Sequence, residues 1–453
     1  MSKTSSDGSA GRLRGVAAHV GPTWIAGAIA AGPATMASLV AAGAGYGYTL
    51  LWVVVLSAGF GALAQYLAAL VGLHTEAGIV AVVEEHLGEV WAWLLVLDVV
   101  LAAGLAQIVI MKTVAEVSST LVGGSPELWG VAWAVILAVG LAGGGYALIE
   151  WGAKVLVSAV VVLFVASVFL VPVDLGAAAG GLVPAIPDVD AALLAAAILG
   201  GAVHVTLITM QSYTMRARDW TAENEGLLRV DVAGSMLVAF GLYSLAIFVV
   251  AATVLDPGQG QSALGAAEAL GPAVGGQAEN LFLLGLAGAA VTTLGANTVV
   301  PPYLVADKLG WEPSVSDARF RIAIVAFAAA GAIGPFLGGA FFQLLSLTLA
   351  FGLVGTPFAL VVVLALLNDP EAVPVRPSIG ANVGGVLLVA VTTVIAGDFV
   401  RGEWDTLVDG GMAEPTAAAV VAFAAVLGLG TLGVAVRAVR DVLDRRAGSG
   451  APN

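Results

Sequence analysis

The chain contains no cysteine, which excludes disulfides, iron–sulfur clusters and thiolate-bound metals. Charge is scarce as well: Asp, Glu, Lys and Arg make up 11% of the 453 residues, against about 25% in a soluble domain. The net charge is −14, and beyond short arginine clusters no basic tract offers a surface for nucleic acid. The four histidines, His19, His74, His86 and His204, form no ligand cluster in sequence. A Gly-Lys-Ser/Thr phosphate loop is absent too. Nothing therefore points to an enzyme, to ATP-driven transport within this chain or to a bound cofactor. Ten-residue segments of alternating polarity, the mark of a membrane-spanning barrel, are also missing. The first 15 or so residues are polar and lack the order of a secretory signal.

What is present is apolar. Hydrophobic residues make up 59% of the chain, and the mean hydropathy is +1.00. So little polar surface cannot cover the molecule in water, so lipid is its solvent. A helix needs about 20 apolar residues to span a bilayer. Such runs lie at roughly 20–44, 50–71, 90–114, 128–148, 155–173, 191–210, 232–254, 281–304, 322–338, 341–367, 379–396 and 417–436. The 59 glycines suit helices whose backbones approach closely in lipid. The expectation is an all-α polytopic membrane protein of about 12 transmembrane helices. One transporter domain occupies 16–438, between polar tails at 1–15 and 439–453.

Orientation follows from the loops. With the N-terminus inside, all but two of the 17 Lys and Arg residues fall on the inner side, leaving only Lys112 and Arg401 outside. Loops 174–190 and 255–280 carry acidic residues without Lys or Arg and are expected outside. Both termini are then cytoplasmic. The acidic loops and the excess of arginine over lysine fit a prokaryotic cell membrane. Spans 1–5 and 6–10 run in opposite senses, as an inverted repeat requires, although no internal sequence identity is visible.

The first span is interrupted by Ala31-Gly32-Pro33-Ala34-Thr35. Pro33 removes a helical donor and Gly32 permits unusual backbone angles. A broken helix at mid-membrane points to a substrate site in secondary carriers, and a plain proline kink is the structural alternative. Asp98 stands alone inside span 3, where a carboxylate is a functional candidate or a snorkelling side chain. Lys112 and Glu116, spaced i,i+4, form either a pathway element or an interfacial ion pair. Thr292, Thr293 and Asn297 in span 8 line a pathway or, as favoured here, hydrogen-bond between helices.

Gly21-Pro22-Thr23, the segment Ala42-Gly43-Ala44-Gly45-Tyr46-Gly47-Tyr48-Thr49-Leu50-Leu51-Trp52, Ser57 and Gln65-Tyr66-Leu67-Ala68 together resemble the start of the Nramp family of divalent-metal transporters. The resemblance implies a LeuT-like 5+5 inverted repeat, about 18–175 and 188–368, followed by two helices within 379–438. It also implies secondary active transport of divalent metal ions. The family's Asp-Pro-Gly-Asn motif falls on Gly32-Pro33-Ala34-Thr35, and its Met-Pro-His motif on His204-Val205-Thr206. Gln343, near Ser346, is similar to a family glutamine in span 10, shifted by one residue. Lys112 to Glu116 falls on a family Thr-Asp-Leu-Ala-Glu segment linked to proton passage, with Thr113 replacing the Asp.

The substrate-binding candidates are therefore Ala31, Gly32, Thr35, His204 and Gln343, with His204 and Thr35 as metal ligands. The coupling or pathway candidates are Asp98, Lys112 and Glu116. Span 1 is expected to unwind around 31–34 and to face span 6 near His204. With the family's Asp replaced by Gly32, the candidate set holds no carboxylate, and dications bind weakly unless they keep water. A carrier of a small organic solute or anion on the same broken-helix fold is the alternative. The expected partners are that substrate and the bilayer, with no obligate protein partner.

Overall fold

In a computed structural model of the chain, residues 32–143, 147–257, 260, 262–410 and 415–448 are described. Every regular element among them is helical, as expected where no water is available to satisfy open backbone groups. The first half of the chain contributes α1 (Pro33–Tyr46), α2 (Leu51–Thr75), α3 (Ile79–His86), α4 (Glu89–Val122), α5 (Pro126–Gly143), α6 (Ala147–Val168) and α7 (Leu175–Gly180). Then follow α8 (Val189–Val203), α9 (Val205–Ala217) and α10 (Glu225–Val232), which passes through a π-helical stretch, Ala233–Phe240, into α11 (Gly241–Val254). Short helical turns lead to α12 (Ala278–Leu309), α13 (Ala318–Gly331), α14 (Phe341–Leu367), α15 (Ile379–Gly410) and α16 (Pro415–Gly448).

Among the described residues, ten stretches are long and apolar enough to cross a membrane. The runs expected at 20–44 and 155–173 fall on α1 and α6. Residues before Gly32 lie outside the described part, and the apolar stretch of α6, Lys154–Val168, is shorter than a full span. Several expected boundaries are corrected. The run ending at 396 continues helically to Gly410, and the tail expected from 439 is helical as far as Gly448. The N-terminal tail 1–15 and residues 449–453 lie outside the described residues. Both extended helices present apolar side chains outward: Val383, Val386, Leu387 and Val394 on α15, and Leu429, Leu432 and Val436 on α16. In water these rows would be an aggregation surface. Against acyl chains they are the matching surface.

The core is a set of crossing helices with α1 at its centre, packed against α8, α11 and α14, while α4 packs against both α12 and α14. Polar side chains tie some of these crossings. Asn297 Nδ2 on α12 donates to Ala103 O on α4 at 2.7 Å, and Gln107 Nε2 on α4 donates to Thr298 Oγ1 at 2.8 Å. Asn297 thus joins helices, as favoured from sequence. Thr292 and Thr293 instead turn back onto the carbonyls of Gly288 and Ala289 in their own helix.

Elsewhere the backbones themselves meet. A Cβ placed on Gly200 of α8 would stand 2.3 Å from Leu349 O of α14, so only a hydrogen fits there. Gly200→Ala should therefore destabilise the protein by about 1–3 kcal/mol, the usual cost of overpacking. The check is thermal melting in detergent, and an unchanged melting temperature would show that α8 and α14 separate without penalty.

Candidate functional site

The sixth apolar run is not one helix. It stops at Val203, passes through His204 in extended geometry (φ −55°, ψ 137°) and restarts at Val205. In an unbroken helix Thr206 N–H would bond Ala202 O and Leu207 N–H would bond Val203 O. Here Thr206 N–H reaches His204 Nδ1 at 3.3 Å, and Leu207 N–H bonds His204 O at 2.9 Å. The freed Val203 carbonyl accepts instead from Thr356 Oγ1 of α14 at 2.8 Å. The break is thus held by one imidazole and one hydroxyl, both buried.

Opposite it, α1 begins at Pro33, with Gly32 as its extended N-cap (φ −64°, ψ 178°) and no side-chain cap. Of the segment 31–34 expected to unwind, the described residues show that the helix starts at Pro33. Ala34 is already helical, which corrects that boundary, and Ala31 lies outside the described residues. Proline suits the first helical turn because its missing N–H would be unsatisfied there anyway. Thr35, one turn into α1, is buried. Its Oγ1 would lie 2.5 Å from a Cβ on Gly201, so the hydroxyl rests on the α8 backbone just before the break. Ser38 Oγ and Ser346 Oγ, 2.9 Å apart, link the same face of α1 to α14.

His204 is 5% exposed, and its Nε2 has no hydrogen-bond partner. That atom points at α14, where a Cβ on Gly352 would come within 2.0 Å of it. The other ring nitrogen has two choices. Nδ1 accepts from Thr206 N–H, or it donates to Thr206 Oγ1 at 2.8 Å. The second choice leaves a lone pair on Nε2, the arrangement of a metal-ligating imidazole.

The remaining candidates divide. Asp98 is fully buried, with no partner for either carboxylate oxygen. It packs against Gly355 of α14, the next turn from Gly352, so it belongs to the same neighbourhood and does not snorkel. Lys112 and Glu116 sit elsewhere, about 21 Å farther along α4 at 1.5 Å per residue. They pair at 2.7 Å, and Lys112 Nζ also donates to Leu337 O at 2.9 Å. Gln343 lies in the first turn of α14, and its side chain is outside the described residues. No group of three or more His, Cys, Asp or Glu residues comes together among the described residues.

Sequence reasoning singled out neither Thr356, Gly352 and Gly355 nor the break in span 6. No proline marks that break, and the one local signal was Gly200-Gly201 preceding a polar His204.

Comparison with known proteins gives the family and the fold. The family profile described as natural resistance-associated macrophage protein-like (Nramp) matches residues 23–401. A divalent metal cation transporter, MntH, of Mycobacterium tuberculosis is 30% identical over 292 residues, covering 61% of this chain and 68% of that protein. The Bacillus subtilis protein of the same name is 28% identical over 320 residues, 66% of this chain and 74% of that one. Among solved structures, the manganese transporter of Eremococcus coleocola superposes with a TM-score of 0.76 at 16% identity, over 98% of this chain and 97% of that one. Mhp1, a nucleobase-cation-symport-1 family transporter, does so with a TM-score of 0.55 at 16% identity, over 93% and 92%. At such identities the structural likeness shows the shared fold, the LeuT-like arrangement expected from sequence.

The surroundings of Lys112 give a test of its structural role. Lys112→Met removes an ion pair and leaves the Leu337 carbonyl without its ammonium donor. A loss of about 1–3 kcal/mol is expected, read as a lower melting temperature. No change would mean that the contact with the Leu337 segment does not support the fold.

Proposed function

The chain belongs to the natural resistance-associated macrophage protein-like (Nramp) family, and we propose that it carries divalent metal cations across a membrane as a secondary transporter. The substrate binds where α1 begins and α8 gives way to α9. The observation that carries this reading is the buried, unpartnered His204 Nε2 at a helix break beside the start of α1. An uncompensated buried polar atom is costly, and a bound cation is a compensation that suits a neutral imidazole. Thr35 supplies a hydroxyl on the same edge.

The residues present select among metals. The chain has no thiolate to offer, and His204 occupies the position where the resemblance places a methionine. Imidazole and oxygen ligands suit manganese or iron(II) better than cadmium, whose softness favours sulfur. The Lys112–Glu116 pair serves in this reading as a structural clamp on the Leu337 segment. The chain works in the plasma membrane of a prokaryote with both termini cytoplasmic. Its single transporter domain spans 16–438, with repeats at about 18–175 and 188–368. The asymmetry of Lys and Arg between loops supports the orientation.

Proteoliposomes loaded with a metal-quenched dye should show uptake of Mn²⁺ that depends on the purified protein and an imposed ion gradient. Liposomes that stay impermeable to Mn²⁺ under every gradient would overturn the reading. Thr206→Val keeps the shape but leaves the amide as the sole partner of His204 Nδ1, which places the proton on Nε2. Weakening of Mn²⁺ binding by about tenfold is expected, the size of other losses behind a metal-ligating histidine. Gly32→Asp acts in the opposite direction. The backbone at Gly32 is ordinary extended chain that any residue adopts, so the added carboxylate should tighten Mn²⁺ binding without unfolding α1. Calorimetric titration measures both variants, and looser binding by Gly32→Asp would place the site away from the start of α1.

A further inference from the structure

Asp98 has no place in the site as drawn from the resemblance, yet it is among the most unusual groups in the molecule. It lies in the interior of α4 at 0% exposure, and neither Oδ1 nor Oδ2 has a hydrogen-bond partner. A carboxylate in that setting is strongly disfavoured unless a positive charge or a proton accompanies it. The basic residue of its own helix, Lys112, is engaged with Glu116 and Leu337.

Its neighbour on α14 shows where it points. A Cβ on Gly355 would fall 2.0 Å from Asp98 Oδ1 and 2.4 Å from Oδ2, so the carboxylate occupies the space a side chain at 355 would fill. His204 Nε2 occupies the corresponding space at Gly352, again at 2.0 Å. Positions three apart on a helix put their Cβ sites about 5–6 Å from one another on one face. The two unpartnered groups, arriving from α4 and from the α8–α9 break, therefore meet the same bare edge of α14, at most about 10 Å apart. The α14 residues that face them, Gly352 and Gly355, have no side chains. A cation bound by one reaches the other directly or through a single water.

We propose that Asp98 is the anionic ligand of the cation site, answering from α4 the charge that Gly32 does not provide on α1, with Gly352 and Gly355 kept bare so that His204 and Asp98 can share one divalent cation. The inference rests on the transport reading and adds to it the source of the site's negative charge. It also changes the chemistry expected from the first-span residues alone. A site of imidazole, hydroxyl and carboxylate holds a dication without full retention of its water.

The test is calorimetric titration of the purified full-length protein with Mn²⁺, comparing the parent with Asp98→Asn and Gly355→Ala. Asp98→Asn removes the charge while keeping the shape, and a rise in Kd of about tenfold or more is expected, at least the loss seen when outer-shell partners are removed. Gly355→Ala keeps the charge but drives a methyl into the carboxylate's position, and the same direction of change is expected. Saturating Mn²⁺ should raise the melting temperature of the parent and raise it less in either variant, because binding to the native state alone stabilises it. A monodisperse Asp98→Asn that binds Mn²⁺ within about twofold of the parent, well inside the loss expected for a ligand, would overturn the proposal. Should Asp98→Asn fail to fold, Gly355→Ala decides alone, and parent-like affinity overturns the proposal. A parent that binds no divalent cation removes the transport reading itself, an outcome distinct from a parent that binds and variants that bind equally.

Discussion

In lipid a helix cannot simply stop, because each interrupted turn leaves amide and carbonyl groups with no water to bond. The arrangement around His204 depends on how that constraint is met. Val203 O is taken by Thr356, Thr206 N–H by the His204 ring, and Leu207 N–H by the carbonyl of His204 itself. Thr356 belongs to α14, so α14 must run close beside the break. It can do so because Gly200 offers no Cβ to Leu349 O, and Gly352 offers none to the imidazole. A glycine-poor α8 or α14 would push the helices apart, orphan the Val203 carbonyl and favour a continuous helix. The opening in the helix and the close approach of its neighbour are one feature.

The start of α1 and the break between α8 and α9 differ in how far their residues announce them. Gly32-Pro33 stands out in the sequence because proline lacks the N–H that a helix interior uses, although Pro301, Pro302 and Pro357 lie inside helices. The break in the sixth run carries no such mark. Val205 has no reason of its own to start a helix, and the geometry comes from side chains that α14 and Thr206 bring to it. His204 was reached through its place in a family motif, not through periodicity. The helix spans themselves were legible because hydropathy in lipid follows directly from composition. Their ends were not: α15 continues to Gly410 and α16 to Gly448 with mixed polarity, where helix continuation is decided by capping and neighbours. Asp98 shows the same divide. Its presence inside an apolar run was plain, but its lack of a partner and its contact with Gly355 depend on a helix more than 250 residues away in the chain.

Lys112 and Glu116 are pathway candidates whose partners the geometry shows. Their segment matches one linked to proton passage in the resembling family, yet Lys112 is committed to Glu116 and to the Leu337 carbonyl. Removal of a lysine held between a carboxylate and a backbone oxygen would leave both partners without it. Such a group fixes the segment between α13 and α14 relative to α4. It therefore helps set the angle at which α14 carries Gly352 and Gly355 past the break.

The backbone at Gly32 accepts any residue, so the absence of a carboxylate there is not imposed by the fold. What differs is where charge enters the site. A ligand at the start of α1 belongs to a helix of 14 residues. Asp98 instead projects from the interior of α4, a helix of 34 residues anchored against α12 by Asn297 and Gln107. A carrier must bind its ion and also let it go, and the two placements divide that task differently. With the charge on α1, movement of α1 takes the anionic ligand along with the ion. With the charge on α4 and the imidazole at the α8–α9 break, relative movement of those two elements separates the ligands from each other. In the proposed site, such a separation would cost the ion one of its two ligands.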